Sequence, residues 1–126
     1  MNVQKLKESL VVLRENLGSG LIAADIYGAH DGQTIAALDN KPYPVADAVF
    51  SRIIKMMTEA LNDAKFPPLG NYVLMDLQDN KVGIVLPLGD YQWGMLVDSA
   101  KTPLGLALNV AIPKAIKTFK EALAED

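Results

Sequence analysis

The sequence predicts an α+β fold, a five-stranded antiparallel sheet with helices on both faces. Two long segments, residues 2–17 and 44–64, have the apolar spacing of helices. Five shorter apolar segments are bounded by Gly, Asp, Asn or Pro, which is typical of strands joined by tight turns. A last helical segment ends near Ala124. The predicted order is therefore helix, two strands, helix, three strands, helix.

Length and composition narrow the class of protein. The 126 residues suffice for one domain, residues 1–126, and 50% of them are hydrophobic. The lack of cysteine excludes disulfide scaffolds, thiolate zinc sites and cysteine nucleophiles. A net charge of −3 with dispersed lysines argues against a nucleic-acid partner. No uncharged apolar stretch reaches the ~20 residues of a membrane helix, and the first residues do not form a signal peptide, so we expect a cytoplasmic protein without a membrane partner.

The first unit is predicted to be a helix followed by a hairpin. Apolar residues recur at steps of three and four through Val3, Leu6, Leu10, Leu13 and Leu17. Gly18 can end this helix in the left-handed conformation. Residues 20–26 and 34–38 have strand character and flank Asp31-Gly32, a strong turn signal.

The second unit is predicted to be a helix followed by a meander of three strands. Pro44 suits the first helical position, and Asp47 lies in the first turn, where the helix dipole favours a carboxylate. The expected strands are residues 72–78, 82–88 and 91–97. Short turns between them require antiparallel pairing. Since the middle strand is apolar on both sides, we expect helices on both faces of the sheet.

The last helix contains an internal proline. Thr102-Pro103 is a good N-terminal signal, and the helical pattern then continues to about Ala124. Pro113 lacks an N–H, and its ring crowds the carbonyl of Asn109. We therefore expect a kink or a break at Pro113.

Catalytic motifs are nearly absent. His30 is the single histidine and is predicted to lie in a surface turn. Asp25 and Asp76 could serve acid–base chemistry only if the fold brought them together, and a solvated strand face or bonding to backbone amides is the favoured interpretation. The Gly-rich residues 18–20 formally match a dinucleotide fingerprint but close a helix and open a strand, the reverse of that motif. We expect no catalytic residue, metal or cofactor.

The helix of residues 44–64 is apolar over roughly half of its circumference, wider than the ~100° stripe that suits a helix lying on one surface. We call its first apolar row the outer stripe: Val45, Val49, Ile53, Met56, Ala60 and Ala64. The second row is the inner stripe: Ala46, Phe50, Ile54, Met57 and Leu61. The predicted solvent side comprises Asp47, Ser51, Lys55, Thr58 and Asn62.

Two apolar stripes admit two interpretations. The helix can be deeply embedded in its own domain, or one stripe can pack on the sheet and the other on a second chain. The outer stripe has smaller side chains that permit close helix–helix approach, whereas the inner stripe is bulkier and better suited to filling a core. We therefore assign the outer stripe to a partner chain.

The chain resembles the roadblock family of small dynein-light-chain-related proteins over nearly its whole length. The likeness lies in the element order, in residues 20–24 leading to the hairpin of residues 30–36, in the Ala- and Met-rich second helix, and in residues 104–106. The resemblance implies a profilin-like sheet with the second helix on one face and the first and last helices on the other. Pro113 departs from the uninterrupted last helix of the family.

The resemblance also implies a function. Family members are non-enzymatic regulators and scaffolds that act by protein–protein interaction, often on small Ras-like GTPases. They form homodimers in which the second helices pack together and the edge strand, here residues 72–78, can pair with its copy. The predicted dimer interface comprises Val45, Val49, Ile53, Met56, Ala60, Tyr72, Leu74 and Asp76.

An alternative function is a small-ligand sensor domain of the PAS or GAF type, which also has a five-stranded antiparallel sheet. Tyr91 and Trp93 motivate it, since they occupy a strand together with Met95 and Val97 at alternate positions. Such a row can be a core face or a stacking platform for a ligand.

Overall fold

The elements follow the predicted order along residues 2–124, the part of the chain that this computed structural model describes. Helix α1 (Val3–Leu17) precedes strands β1 (Leu21–Gly28) and β2 (Thr34–Ala37). Helix α2 (Pro44–Asp63) precedes strands β3 (Val73–Leu77), β4 (Lys81–Leu88) and β5 (Tyr91–Asp98). Helices α3 (Leu104–Leu106) and α4 (Ile112–Ala124) follow, joined by the π-helical turn Ala107–Ala111.

The strands form one antiparallel sheet in the order β2-β1-β5-β4-β3. The β1–β2 hairpin and the β3–β4–β5 meander are both as predicted. Strand β5 lies at the centre, and β2 and β3 are the edges. The fold class predicted from the sequence is therefore confirmed.

One face of the sheet carries the dense core. Helices α1 and α4 pack against each other and against the sheet. Trp93 is 0% exposed, and the edge of the Phe119 ring meets it with the ring centroids 5.5 Å apart. Because Trp93 is sealed under α4, it cannot act as the stacking platform on which the sensor alternative depended.

Helix α2 lies alone on the opposite face and touches the sheet chiefly over β1 and β5. The prediction that Asp47 and Ser51 face solvent is wrong, because both are buried, Asp47 to 3% exposure. The turn between β1 and β2 packs on this side of the helix. Gly32 adopts a φ of 69°, and a Cβ there would lie 2.7 Å from the Cα of Ala48. The close approach explains both the glycine and the burial.

The last helix is perturbed at Pro113 without breaking. The π-helical turn Ala107–Ala111 precedes the proline, and helical backbone continues through Ile112 into α4. In a π turn each backbone hydrogen bond spans one residue more than in an α-helix. The helix can therefore continue although Pro113 has no N–H and its ring crowds the carbonyl of Asn109. Within residues 2–124, no helix combines the length with the apolarity needed to cross a lipid bilayer.

Candidate interaction surface

Polar contacts hold the first half of α2 against the β1–β2 hairpin. The backbone N–H of Tyr43 donates to Asp25 Oδ2 at 2.8 Å, immediately before the helix begins. The hydroxyl of Thr34 donates to Asp47 Oδ2 at 2.5 Å. Asp25 thus accepts a hydrogen bond from a backbone amide, which is one of the two environments favoured from the sequence. These contacts fix the distance between the N-terminal half of α2 and the sheet.

Asp25 and Asp47 form a buried carboxyl pair. Burial, together with a hydrogen bond and the charge of Asp25, raises the pKa of Asp47 to about 7, although the Thr34 hydroxyl bond opposes the rise. The proton of Asp47 is therefore held more tightly than that of an ordinary aspartate. Burial and the two nearby carboxylates also raise the pKa of the Tyr27 phenol.

The outer stripe of α2 faces solvent in the single chain. Val45 is 77% exposed, Met56 67% and Ile53 38%. Val49 is half-buried and Ala60 is exposed. Within the inner stripe, Ile54 is buried and the other four residues are half-buried. The orientation is the one that contact with a second chain requires, and the contact itself stays a prediction.

Strand β3 is an edge strand that is hydrogen-bonded to β4 on one side. Tyr72, just before the strand, and Leu74 and Asp76 within it are all exposed. However, Leu74 lies opposite Ile84 in the register. Since Ile84 belongs to the core under α1 and α4, the side chain of Leu74 points away from α2.

The eight predicted interface residues therefore do not share one face. Asp76, opposite Val82 of the same core, points to the side of Leu74. Met75 and Leu77 point toward α2, and sequence reasoning missed both. Strand alternation against β4 could have identified them, because the partner strand has a core face and an α2 face. Leu74 and Asp76 can join the predicted interface through the backbone edge of β3.

A cavity of about 240 Å³ lies between α2 and the sheet. Most of its lining is apolar and comes from α2, β3, β4 and β5, including Ala46, Phe50, Met75, Val85 and Leu96. Asp25, Tyr27 and Asp47 supply polar groups on the β1 side. Since β5 and β4 separate β1 from β3, the cavity runs from a polar side at β1 to an apolar side at β3.

The residues considered for catalysis remain apart. Strands β5 and β4 lie between Asp25 on β1 and Asp76 on β3, so these carboxyls do not meet. His30 lies in an exposed turn, with Nε2 3.3 Å from Asp90 Oδ1. Residues 18–20 link the end of α1 to the start of β1, which confirms that they do not form a dinucleotide-binding turn.

No protein-family model and no curated protein matches the sequence. Solved structures do. MglB from Myxococcus xanthus matches at a TM-score of 0.79 with 14% identity, over 98% of this chain and 93% of the MglB chain. A roadblock/LC7 domain from Streptomyces avermitilis matches at 0.73 with 15% identity, over 94% and 98%.

Profilin II from Acanthamoeba castellanii is a more distant match, at a TM-score of 0.54 with 20% identity, over 88% of this chain and 96% of profilin. Profilin shares the sheet and its helices, as the resemblance seen in the sequence implied. The similarity to MglB and to the Streptomyces domain extends over nearly every element. The chain therefore has the roadblock/LC7 fold, with a profilin-like five-stranded sheet.

Proposed function

We propose that the chain is a cytoplasmic, non-enzymatic scaffold or regulator that forms a homodimer through α2 and the edge strand β3 and binds a small Ras-like GTPase. The exposed outer stripe of α2 carries the proposal. Val45 and Met56 are two-thirds or more exposed on a helix whose other apolar side already packs on the sheet. Large apolar patches that are exposed on a protein surface mark interaction sites.

The edge strand supports the same surface. β3 exposes the backbone groups of its outer edge, and an unprotected edge can pair with a second chain. Met75 and Leu77 of β3 lie on the same side of the sheet as the outer stripe. A twofold pairing through β3 would place two α2 helices on one face of a continuous sheet, where the outer stripes could meet.

The similar structures support self-association in a more general way. An MglB structure from Thermus thermophilus is described as a gliding protein, and another MglB structure as having a tetrameric arrangement. The GTPase partner follows from the roadblock resemblance, since members of that family often regulate small Ras-like GTPases.

Size-exclusion chromatography with light scattering tests the dimer. At tens of micromolar, an obligate pair should elute at twice the 13.6 kDa mass of the chain. A strictly monomeric protein at this concentration would contradict the proposal.

The substitution Ile53→Asp tests which surface carries the dimer. It would bury an unpaired charge between the outer stripes, so we expect the dimer dissociation constant to rise at least a hundredfold. Leu106→Asp is the matched control, because Leu106 and Ile53 are both 38% exposed but lie on opposite faces of the sheet. Equal effects of the two substitutions would refute the assignment to α2.

A binding experiment tests the GTPase partner separately. The chain is immobilised and exposed to a purified Ras-like GTPase encoded by a neighbouring gene, loaded with either GDP or a non-hydrolysable GTP analogue. Retention that depends on the nucleotide supports the proposal. No retention in either state, by a protein shown to be dimeric, would contradict the GTPase assignment and leave the dimer intact.

A further inference from the structure

The polar side of the cavity under α2 contains a buried hydroxyl without a partner. Tyr27 is 0% exposed, lines the cavity, and its phenol oxygen makes no hydrogen bond within residues 2–124. Buried polar groups in folded proteins are almost always hydrogen-bonded. An unpartnered hydroxyl on a residue that lines a cavity therefore points to a bound molecule that supplies the missing partner.

The carboxyl pair beside this hydroxyl has no cation partner among the described residues. The salt bridges found among the described residues engage Asp39, Asp90 and Asp98, and none reaches Asp25 or Asp47. Both carboxyls are at least 97% buried. A buried negative charge is costly unless a cation or several donors offset it. The cavity thus presents a site where a positively charged donor would be stabilised.

The rest of the lining defines the shape of the occupant. An apolar cavity of about 150 Å³ is large enough to hold benzene, and this one has about 240 Å³. An aromatic ring or a branched hydrocarbon with a short chain fits that volume. Strands β5 and β4 lie between the polar side of the cavity and its apolar side. The occupant should therefore be polar at one end only.

We propose that this cavity binds a small primary amine with an apolar body. Its ammonium group would pair with the Asp25 and Asp47 carboxyls and donate to the Tyr27 hydroxyl. Its hydrocarbon part would lie against Phe50 and Met75. The proposal does not depend on the GTPase assignment.

Titration calorimetry with two matched probes, 2-phenylethylamine and 2-phenylethanol, tests the proposal. The probes have the same ring and chain length and differ in the charged group. At pH 8 we expect saturable binding of the amine at least tenfold tighter than that of the alcohol. Amine binding should strengthen several-fold between pH 6 and pH 8, because Asp47 loses its proton over this range while the amine stays charged.

Three substitutions locate the site. Asp47→Asn removes one charge and should weaken amine binding at least tenfold, while Asp63→Asn, an equal charge change at the exposed end of α2, should leave it unchanged. Ala46→Leu adds volume from the helix without altering charge and should abolish binding of both probes. If the Asp47→Asn chain does not fold, Ala46→Leu still tests whether the probes bind in this cavity.

Three outcomes would overturn the proposal. The first is the absence of saturable amine binding, and the second is equal affinity for the amine and the alcohol. The third is amine binding by the dissociated Ile53→Asp chain but not by the wild-type dimer, which would mean that a second copy of the chain fills the cavity.

Discussion

The two faces of the sheet are built in different ways. Under α1 and α4, large side chains such as Trp93 and Phe119 interlock with almost no exposure. Under α2, the sheet faces a cavity, a carboxyl pair and a helix of which few side chains are buried. One face is therefore organised for stability, and the other has apolar surface and polar groups available for binding.

The difference follows from the sequences of the helices. Helices α1 and α4 each have one apolar stripe, which the sheet and the neighbouring helix bury together. Helix α2 has two stripes and no neighbouring helix on its face, so one stripe stays exposed. A face with a wide apolar helix and incomplete burial is the face to examine for function.

The largest expected effect comes from truncating matched phenylalanines on the two faces. Phe119→Ala should cost about 3 to 5 kcal/mol of unfolding free energy, because Phe119 is 1% exposed and its ring contacts Tyr91 and Trp93. Phe50→Ala should cost about 1 to 2 kcal/mol, because Phe50 is half-buried and borders existing space.

Urea unfolding in the Ile53→Asp background measures both values, since dimer association then does not contribute. The untruncated Ile53→Asp chain is the reference. A cost for Phe50→Ala equal to that for Phe119→Ala would show that the two faces are packed alike, which would remove the basis of the comparison.

The carboxyl pair gives the next effect, through pH. The pKa of Asp47 is higher in the folded protein, about 7, than its ordinary value of 3.8. The folded state therefore holds this proton more tightly, so the stabilisation is complete below pH 4 and is lost as pH rises through 7. Between pH 5 and pH 8 we expect Asp47 to account for a loss of about 2 to 3 kcal/mol.

Asp47→Asn should remove this part of the pH dependence. Unfolding free energies of the variant and the wild-type protein at pH 5 and pH 8 measure it together with the interaction of Asp47 with Asp25, because the other titrating groups are shared. If the unfolding free energies of the variant and the wild-type protein changed equally with pH, the prediction would be contradicted, because the fold would then not favour the neutral form of Asp47.

Much of the fold could be predicted from residue spacing. Apolar residues recur every three or four positions in α1 and α2, and this spacing determines a helix directly. The Asp-Gly turn before Thr34 likewise determines a hairpin, and the short turns limit how neighbouring strands can pair. Side-chain size also indicated which stripe of α2 turns toward the sheet, because bulky residues fill a core better than alanine does. Contact of the outer stripe with a second chain stays a prediction.

What failed depends on contacts between distant segments. Asp47 lies opposite the apolar stripes, and helical periodicity cannot reveal that the hydroxyl of Thr34 and the turn at Gly32 cover it. Its pairing with Asp25 needs the packing of α2 on β1, which no local pattern encodes. The direction of Leu74 likewise depends on the register with β4.

The smallest expected effect compares exposed apolar residues on the two faces. Met56 on α2 is 67% exposed and Val11 on α1 is 50% exposed, so replacing either by Gln should change the unfolding free energy of the Ile53→Asp chain by less than about 0.5 kcal/mol. The substitutions should differ in the wild-type background. Met56→Gln removes apolar area from the proposed interface and should weaken the dimer about fivefold, whereas Val11→Gln should not. Sedimentation equilibrium measures the difference. If both substitutions weakened the dimer equally, α1 would also lie at the interface, and the two faces of the sheet would not differ in function as proposed.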